Sequence, residues 1–204
     1  MKFSAKLKAS ASKTATSPSC KTLATMLNQN FRMTEIITPN EFGTITEKKI
    51  IDFQEIIGFE LPDDYSNFLK LYNGGKTKFD SLKIYKRKKE ELWSFGYLFG
   101  IHNKEYWASI FWAMKSLENR IPNEFLPIAD NNGGDYYVMN LSKEKFGQIF
   151  IWNHNNESVK NGTKYYKNLT FLFNSFSELL QNLTIDNKKI GITITETDDD
   201  FIIS

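Results

Sequence analysis

A single α+β domain, with a mainly antiparallel sheet packed by helices, is predicted from three features of the chain. Two helical patterns stand back to back between residues 44 and 73. Three short apolar runs between 125 and 152 are separated only by tight turns, which implies an antiparallel meander. A further helical pattern follows the meander, so helices and strands are segregated along the chain.

The first helix is expected to start at Thr44, because Thr44-Ile45-Thr46-Glu47 fits a capping box with Glu47 reaching back. Ile50, Phe53 and Ile57 follow at near-helical spacing, with Ile51 and Ile56 widening the stripe. Gly58 suits the left-handed position that ends a helix. Leu61-Pro62 then breaks the chain, because Pro62 disfavours helix before it and favours the first turn after it. Asp63 and Asp64 lie at the positive end of the second helix dipole. Tyr65, Phe68, Leu69 and Tyr72 repeat at the spacing of one buried face. Asn73-Gly74-Gly75 stops that helix.

Ser81 to Tyr85 alternates like a half-buried strand, and 86–91 reads as a solvated charged loop. Phe95 to Ile101 is an apolar run of strand length. Glu105 to Asn119 reads as one helix, with Tyr106, Ile110, Ala113 and Leu117 on its inner face. Phe125 to Ala129 is a strand whose Pro127 places it at an edge or a strand start. Asp130-Asn131-Asn132-Gly133-Gly134-Asp135 is a tight turn. Tyr136–Leu141 and Gln148–Trp152 complete the meander around a turn ending at Gly147. Residues 153–164 read as polar loop. Asn174 to Leu183 is the last helix, burying Phe176, Leu179, Leu180 and Leu183. Gly191 to Thr195 reads as a short final strand.

The chain has 204 residues, of which 41% are hydrophobic and 15% aromatic, enough for a substantial core. Its 26 basic and 24 acidic residues are unevenly placed. Six of the basic residues and no acid lie in 1–32, which leaves 20 basic against 24 acidic residues, a net charge of −4, in the remainder. The basic balance of the whole chain therefore does not argue for nucleic-acid binding by the domain. No run approaches the ~18 apolar residues of a membrane span. A single cysteine, Cys20, forms no intrachain disulfide, which fits a reducing, cytoplasmic setting. Residues 1–32 form a Ser/Thr/Lys-rich leader without the apolar core of a secretory signal. They read as a disordered or transit-like tail, or, the preferred reading, as an upstream extension before a start at Met33. The domain is expected over 33–190, and 191–204 as a short strand with an acidic tail.

Catalytic groupings are thin. His102 and His154 are the only histidines, and Cys20 sits in the leader. No Cys or His spacing supports a metal site. Asp130 and Asp135 form either a carboxylate pair or, the preferred reading, turn acids that bind local backbone. Gly133-Gly134 lacks the Gly-Lys-Ser/Thr ending of a phosphate loop. No catalytic residue, metal or cofactor is therefore assigned.

The segments together resemble the SUKH superfamily, which includes the Smi/Knr cell-wall assembly regulators and many bacterial immunity proteins. The resemblance rests on Gly58, Leu61-Pro62, Tyr65, Phe68-Leu69 and Asn73-Gly74-Gly75. It continues through Pro127, Gly133-Gly134-Asp135, Gly147 and Ser175-Phe176. Asn153 departs from it, standing where the family often has Asp. The resemblance implies a non-enzymatic protein-binding domain, neutralising a cognate toxin encoded next door, with a regulatory scaffold as the alternative. Its partner would be a protein, with no nucleic acid and no membrane; the oligomeric state is left open. The expected partner surface involves the 73–80 and 130–135 turns, with Asp130, Asn131, Asn132, Asp135, His154 and the tail residues Asp198, Asp199 and Asp200. Any tryptophan found exposed among Trp93, Trp107, Trp112 and Trp152 would be an interface anchor.

Overall fold

The computed structural model describes residues 36–86, 89–156, 158–160 and 163–186. The leader 1–32, the expected strand at 191–195 and the acidic tail lie outside them. Among the described residues the chain forms one α+β domain. The helices are α1 (Glu47–Ile57), α2 (Asp63–Tyr72), α3 (Ile110–Ser116) and α4 (Phe176–Gln181). A six-stranded antiparallel sheet runs in the order β1 (Gly75–Lys76), β4 (Tyr97–Leu98), β5 (Phe125–Asp130), β6 (Tyr136–Asn140), β7 (Ile149–Trp152), β10 (Leu169–Phe173). A second sheet joins β11 (Leu183–Thr184), β2 (Ser81–Lys86) and β3 (Lys89–Ser94), and β8 (Ser158–Lys160) pairs with β9 (Thr163–Tyr165).

Strand alternation gives the main sheet two apolar faces. On one face Tyr137, Met139, Ile149 and Ile151 join the main core with Phe53, Phe68 and Leu179. On the other, Val138, Phe150 and Trp152 pack with Leu117 and Ile121. The signature residues meet in the main core: the Phe176 ring centroid lies 4.9 Å from those of both Tyr65 and Phe68. Asp64 Oδ2 accepts from the Ser177 amide and hydroxyl at 2.9 and 3.0 Å, joining the starts of α2 and α4. Pro62 lies against Gly147 of the meander.

Several elements differ from the sequence expectation, each for a local reason. The α1 cap is Thr46, not Thr44: its hydroxyl accepts from the Lys49 amide, and Glu47 pairs with Lys70 at 2.7 Å instead of reaching back. Ile45 and Ile50 then take the two staple positions and both are buried, whereas Ile51 and Ile56 are exposed. Lys89, Glu90 and Glu91 are strand rather than loop. A six-residue antiparallel ladder joins β2 and β3, with exposed cross-strand polar pairs such as Tyr85 Oη to Glu90 at 3.1 Å on it. The run 95–101 contains only a two-residue strand. Pro127 sits in an interior strand, not at an edge, and the ladder accommodates it by a bulge between Pro127 and Ala129. Residues 153–164 carry a 3₁₀ turn and the β8–β9 hairpin, and β10 was not anticipated. The last helix is shorter than expected because Ser175 caps it, accepting from the Glu178 amide at 3.1 Å.

The expected helix 105–119 is split into a 3₁₀ turn at Tyr106–Ala108 and α3. Ser109 between them is extended. The backbone here bonds across to Gly100, with Gly100 N donating to Ala108 O and Ile110 N to Gly100 O. His102 fixes the same segment. Its Nε2 lies 3.1 Å from Ala108 O and its Nδ1 accepts from the Lys104 amide at 3.3 Å, while Ser109 Oγ donates to His102 O. A carbonyl only accepts and an amide only donates, so the ring is the neutral Nε2–H tautomer. Tyr106, expected inside, faces solvent.

Asn73 ties these parts together. Buried at the left-handed end of α2, it donates from Nδ2 to Gly43 O and accepts at Oδ1 from the Ile101 amide, both at 2.8 Å. Gly74 follows at φ +85°, where a Cβ would stand 2.6 Å from Leu98 O.

Gly58 also has positive φ, but a Cβ there meets nothing within 4 Å. Gly58→Ala should therefore lose only the conformational cost, about 1 kcal/mol, and Gly74→Ala about 3 kcal/mol from strain plus collision. Urea unfolding of both variants measures the difference; equal losses would refute the close-approach role. For His102, burial lowers the ring pKa, opposed by the Ala108 bond; Lys104 lowers it further, and Glu105 and Glu41 raise it. The unfolded ring protonates as pH falls below its ordinary value while the folded ring resists. Its contribution to stability is therefore absent above that value and becomes a loss below it. Between pH 7.5 and 5.5 the wild type should lose more stability than His102→Gln, measured by urea unfolding at each pH.

Candidate binding face

The turn joining β5 to β6 is built around two acids. Asp130 Oδ1 accepts from the Tyr97 amide at 3.0 Å and the Asn132 amide at 3.3 Å. A methyl on Gly96 would overlap that oxygen, so the close approach requires glycine there. Burial raises the Asp130 carboxyl, and the two amides pull it back only in part. Asn131 Oδ1 accepts from the amides of Gly133 and Asp135 at 2.8 and 3.0 Å, closing the turn, while Asn132 and Gly134 take positive φ.

Asp135 is the hub. Oδ1 accepts from the His154 amide at 3.0 Å and lies 2.7 Å from His154 Nδ1, which fixes that ring nitrogen as a donor. Oδ2 accepts from Asn131 Nδ2 at 3.1 Å and Asn153 Nδ2 at 3.3 Å. Asn153 thus supplies a donor where an aspartate would set carboxylate against carboxylate. Gly134 borders the His154 ring. Asp130, Asn131, Asn132, Asp135 and His154 are therefore brought together around one turn. Asp198, Asp199 and Asp200 lie outside the described residues.

The 73–80 segment meets this turn. Lys76 to Asp80, Gly96, Tyr97, Asp130 and Asn132 line one groove of about 870 Å³, bordered by Ile37, Glu41, Trp107 and Ile185. Asn73 and Gly74 do not line it. Tyr97 Oη donates to Glu41 at 3.0 Å, and burial, reinforced by that carboxylate, pushes the hydroxyl up to about 12.

Beyond Trp107 the face continues over Tyr106 and Trp112. Tyr106, Trp107 and Trp112 are 69%, 42% and 47% exposed, whereas Trp152 is fully buried. Sequence reasoning left the tryptophans unsorted and placed Tyr106 inside. The available signal was aromatic density, with Tyr106, Trp107, Phe111 and Trp112 inside seven residues. The Trp107 ring is braced edge-on by Phe42 at 5.7 Å and Tyr97 at 4.9 Å. Among the described residues no group of three His, Cys, Asp or Glu side chains is placed to hold a metal. No described helix is long and apolar enough to cross a membrane.

Comparison with known proteins agrees with this architecture. A prophage-derived uncharacterised protein of Bacillus subtilis (strain 168), YokK from SPbeta, is 27% identical over 182 residues, covering 78% of this chain and 88% of the relative. The SMI1/KNR4 family (SUKH-1) matches residues 44–182, from the approach to α1 through the end of α4, and the chain belongs to that family.

Proposed function

We propose that the protein is a non-enzymatic binding domain, an immunity protein that occupies and neutralises a cognate toxin. The observation that carries this reading is the exposed aromatic set Tyr106, Trp107 and Trp112 beside the groove lined by both sequence-selected turns. Exposed tryptophan and tyrosine on a braced backbone are the residues that dominate protein interfaces. The acids fit a binding role better than a catalytic one. Asp135 already accepts four hydrogen bonds, and Asp130 holds two amides. Family membership supports a protein partner, and the prophage origin of a relative fits a toxin–immunity setting. Residues 33–190 are proposed as the binding unit, acting in the cytoplasm.

Co-expression with the product of the adjacent gene tests the reading. Growth arrest by that product alone, relieved by this protein through a complex that copurifies, is the expected result. A harmless neighbour, or toxicity unchanged by this protein, would falsify immunity. Within a complex, the double variant Tyr106→Ala, Trp112→Ala should weaken binding at least about tenfold, with its circular dichroism unchanged. Asp135→Ala should act on the scaffold instead, lowering stability by about 2 kcal/mol because several donors lose their acceptor. Thermal unfolding measures this loss.

A further inference from the structure

One pocket on this face has a makeup that packing does not explain. It lies beside α3 and the β5–β6 turn, encloses about 320 Å³, and is walled by Phe99, Tyr106, Trp107, Trp112 and Tyr136. Asp130 lines it and also lines the neighbouring groove. Both local bonds to Asp130 go to Oδ1, and among the described residues no cation pairs with the carboxylate. Aromatic faces carry negative potential, so a pocket lined by five aromatic side chains and a carboxylate has the composition of a cation site. The chain itself shows the attraction: Lys115 Nζ sits 5.4 Å from the Trp112 ring centroid.

We propose that this pocket receives an arginine side chain of the protein partner, its guanidinium stacked among Tyr106, Trp107 and Trp112 and paired with Asp130. A guanidinium suits the site better than an ammonium. It is planar, stacks on aromatic rings, forks onto a carboxylate and is more weakly hydrated, so entering a partly open pocket costs it less. The proposal rests on the binding reading above and names the chemistry of the partner's anchor. An arginine held between tryptophans has the composition of an interface hot spot.

The test is an NMR titration of the full-length protein with N-acetyl-arginine amide, observed at the indole N–H signals of the four tryptophans. The Trp107 and Trp112 signals should move and saturate with a Kd of about 1–20 mM, while that of buried Trp152 stays fixed. The uncharged citrulline analogue should give no saturable shift, and the lysine analogue should bind at least about threefold more weakly. Asp130→Asn keeps a side-chain oxygen for the Tyr97 and Asn132 amides and should weaken the arginine response at least about fivefold. Trp112→Leu, at a half-exposed position, should do the same and serves if the first variant does not fold. An absent wild-type response, an equal response to citrulline or lysine, or an arginine response that survives these substitutions overturns the proposal. No toxin enters the titration, so its failure removes the arginine pocket alone, and neutralisation is decided separately by co-expression.

Discussion

The buried amide of Asn73 is the constraint on which the rest of the structure depends. It stands at the left-handed end of α2 and holds two separate segments, Gly43 through its donor and Ile101 through its acceptor, each at 2.8 Å. A buried amide with only one of these partners would leave a polar group unsatisfied, so both segments are fixed together. Gly74 then lets β1 run against Leu98 and Phe99 at backbone contact distance. That contact sets where β4 begins the main sheet. From Ile101 the constraint passes to His102 and Ser109, and so to the turn that carries Tyr106 and Trp107. A helix-ending motif thus positions a surface more than thirty residues away in sequence.

The second organising group is Asp135, which plays the same part at the β5–β6 turn. It draws the β5–β6 turn and the end of β7 into one unit through four acceptor contacts. Asn153 extends the unit, since its carbonyl accepts from Asn168 Nδ2 at 3.0 Å ahead of β10. The Asn131–Asp135 turn is accordingly over-determined: its side chains close it by Asx-type bonds and its hub fixes it to a neighbouring strand.

Much of the fold was legible in the sequence because the signals were local. Helical periodicity marked α1 and α2, and their stops at Gly58 and Asn73 carried left-handed geometry that only a few residues adopt easily. The meander was legible because tight turns force antiparallel neighbours. What failed depended on distant partners. Nothing near Glu105 signals that Ser109 will bond to His102 and interrupt a helix, so Tyr106 was placed inside. Strand β2 was legible from its alternation, with Leu82 and Ile84 buried, whereas Lys89, Glu90 and Glu91 of β3 are exposed and charged, a pattern that reads as loop. Pro127 was assigned to an edge or a strand start by a rule that its bulge evades. For the candidate face, the turn acids were legible as turn chemistry. The exposed aromatics were not, because exposure is decided by what the rest of the chain covers.

Preorganisation links these observations to binding. An interface built from mobile loops must lose their freedom on association, and that loss is taken from affinity. Here the aromatic side chains project from backbone already tied by His102, Ser109 and Gly100, and Trp107 is braced by Phe42 and Tyr97. The acid beside them is held by two amides, with Gly96 leaving room for its carboxylate. Little ordering therefore remains to be done when a partner arrives. The β2–β3 hairpin contrasts with this, since its exposed charge pairs keep much of their solvation and contribute little rigidity. Two of the supports of the aromatic turn and its acid are shielded from solvent, Ser109 Oγ to His102 O being buried and the Tyr97 amide to Asp130 part-buried. On the proposed reading, a partner would meet the meander side of the domain, where the polar groups that shape the surface are themselves fixed.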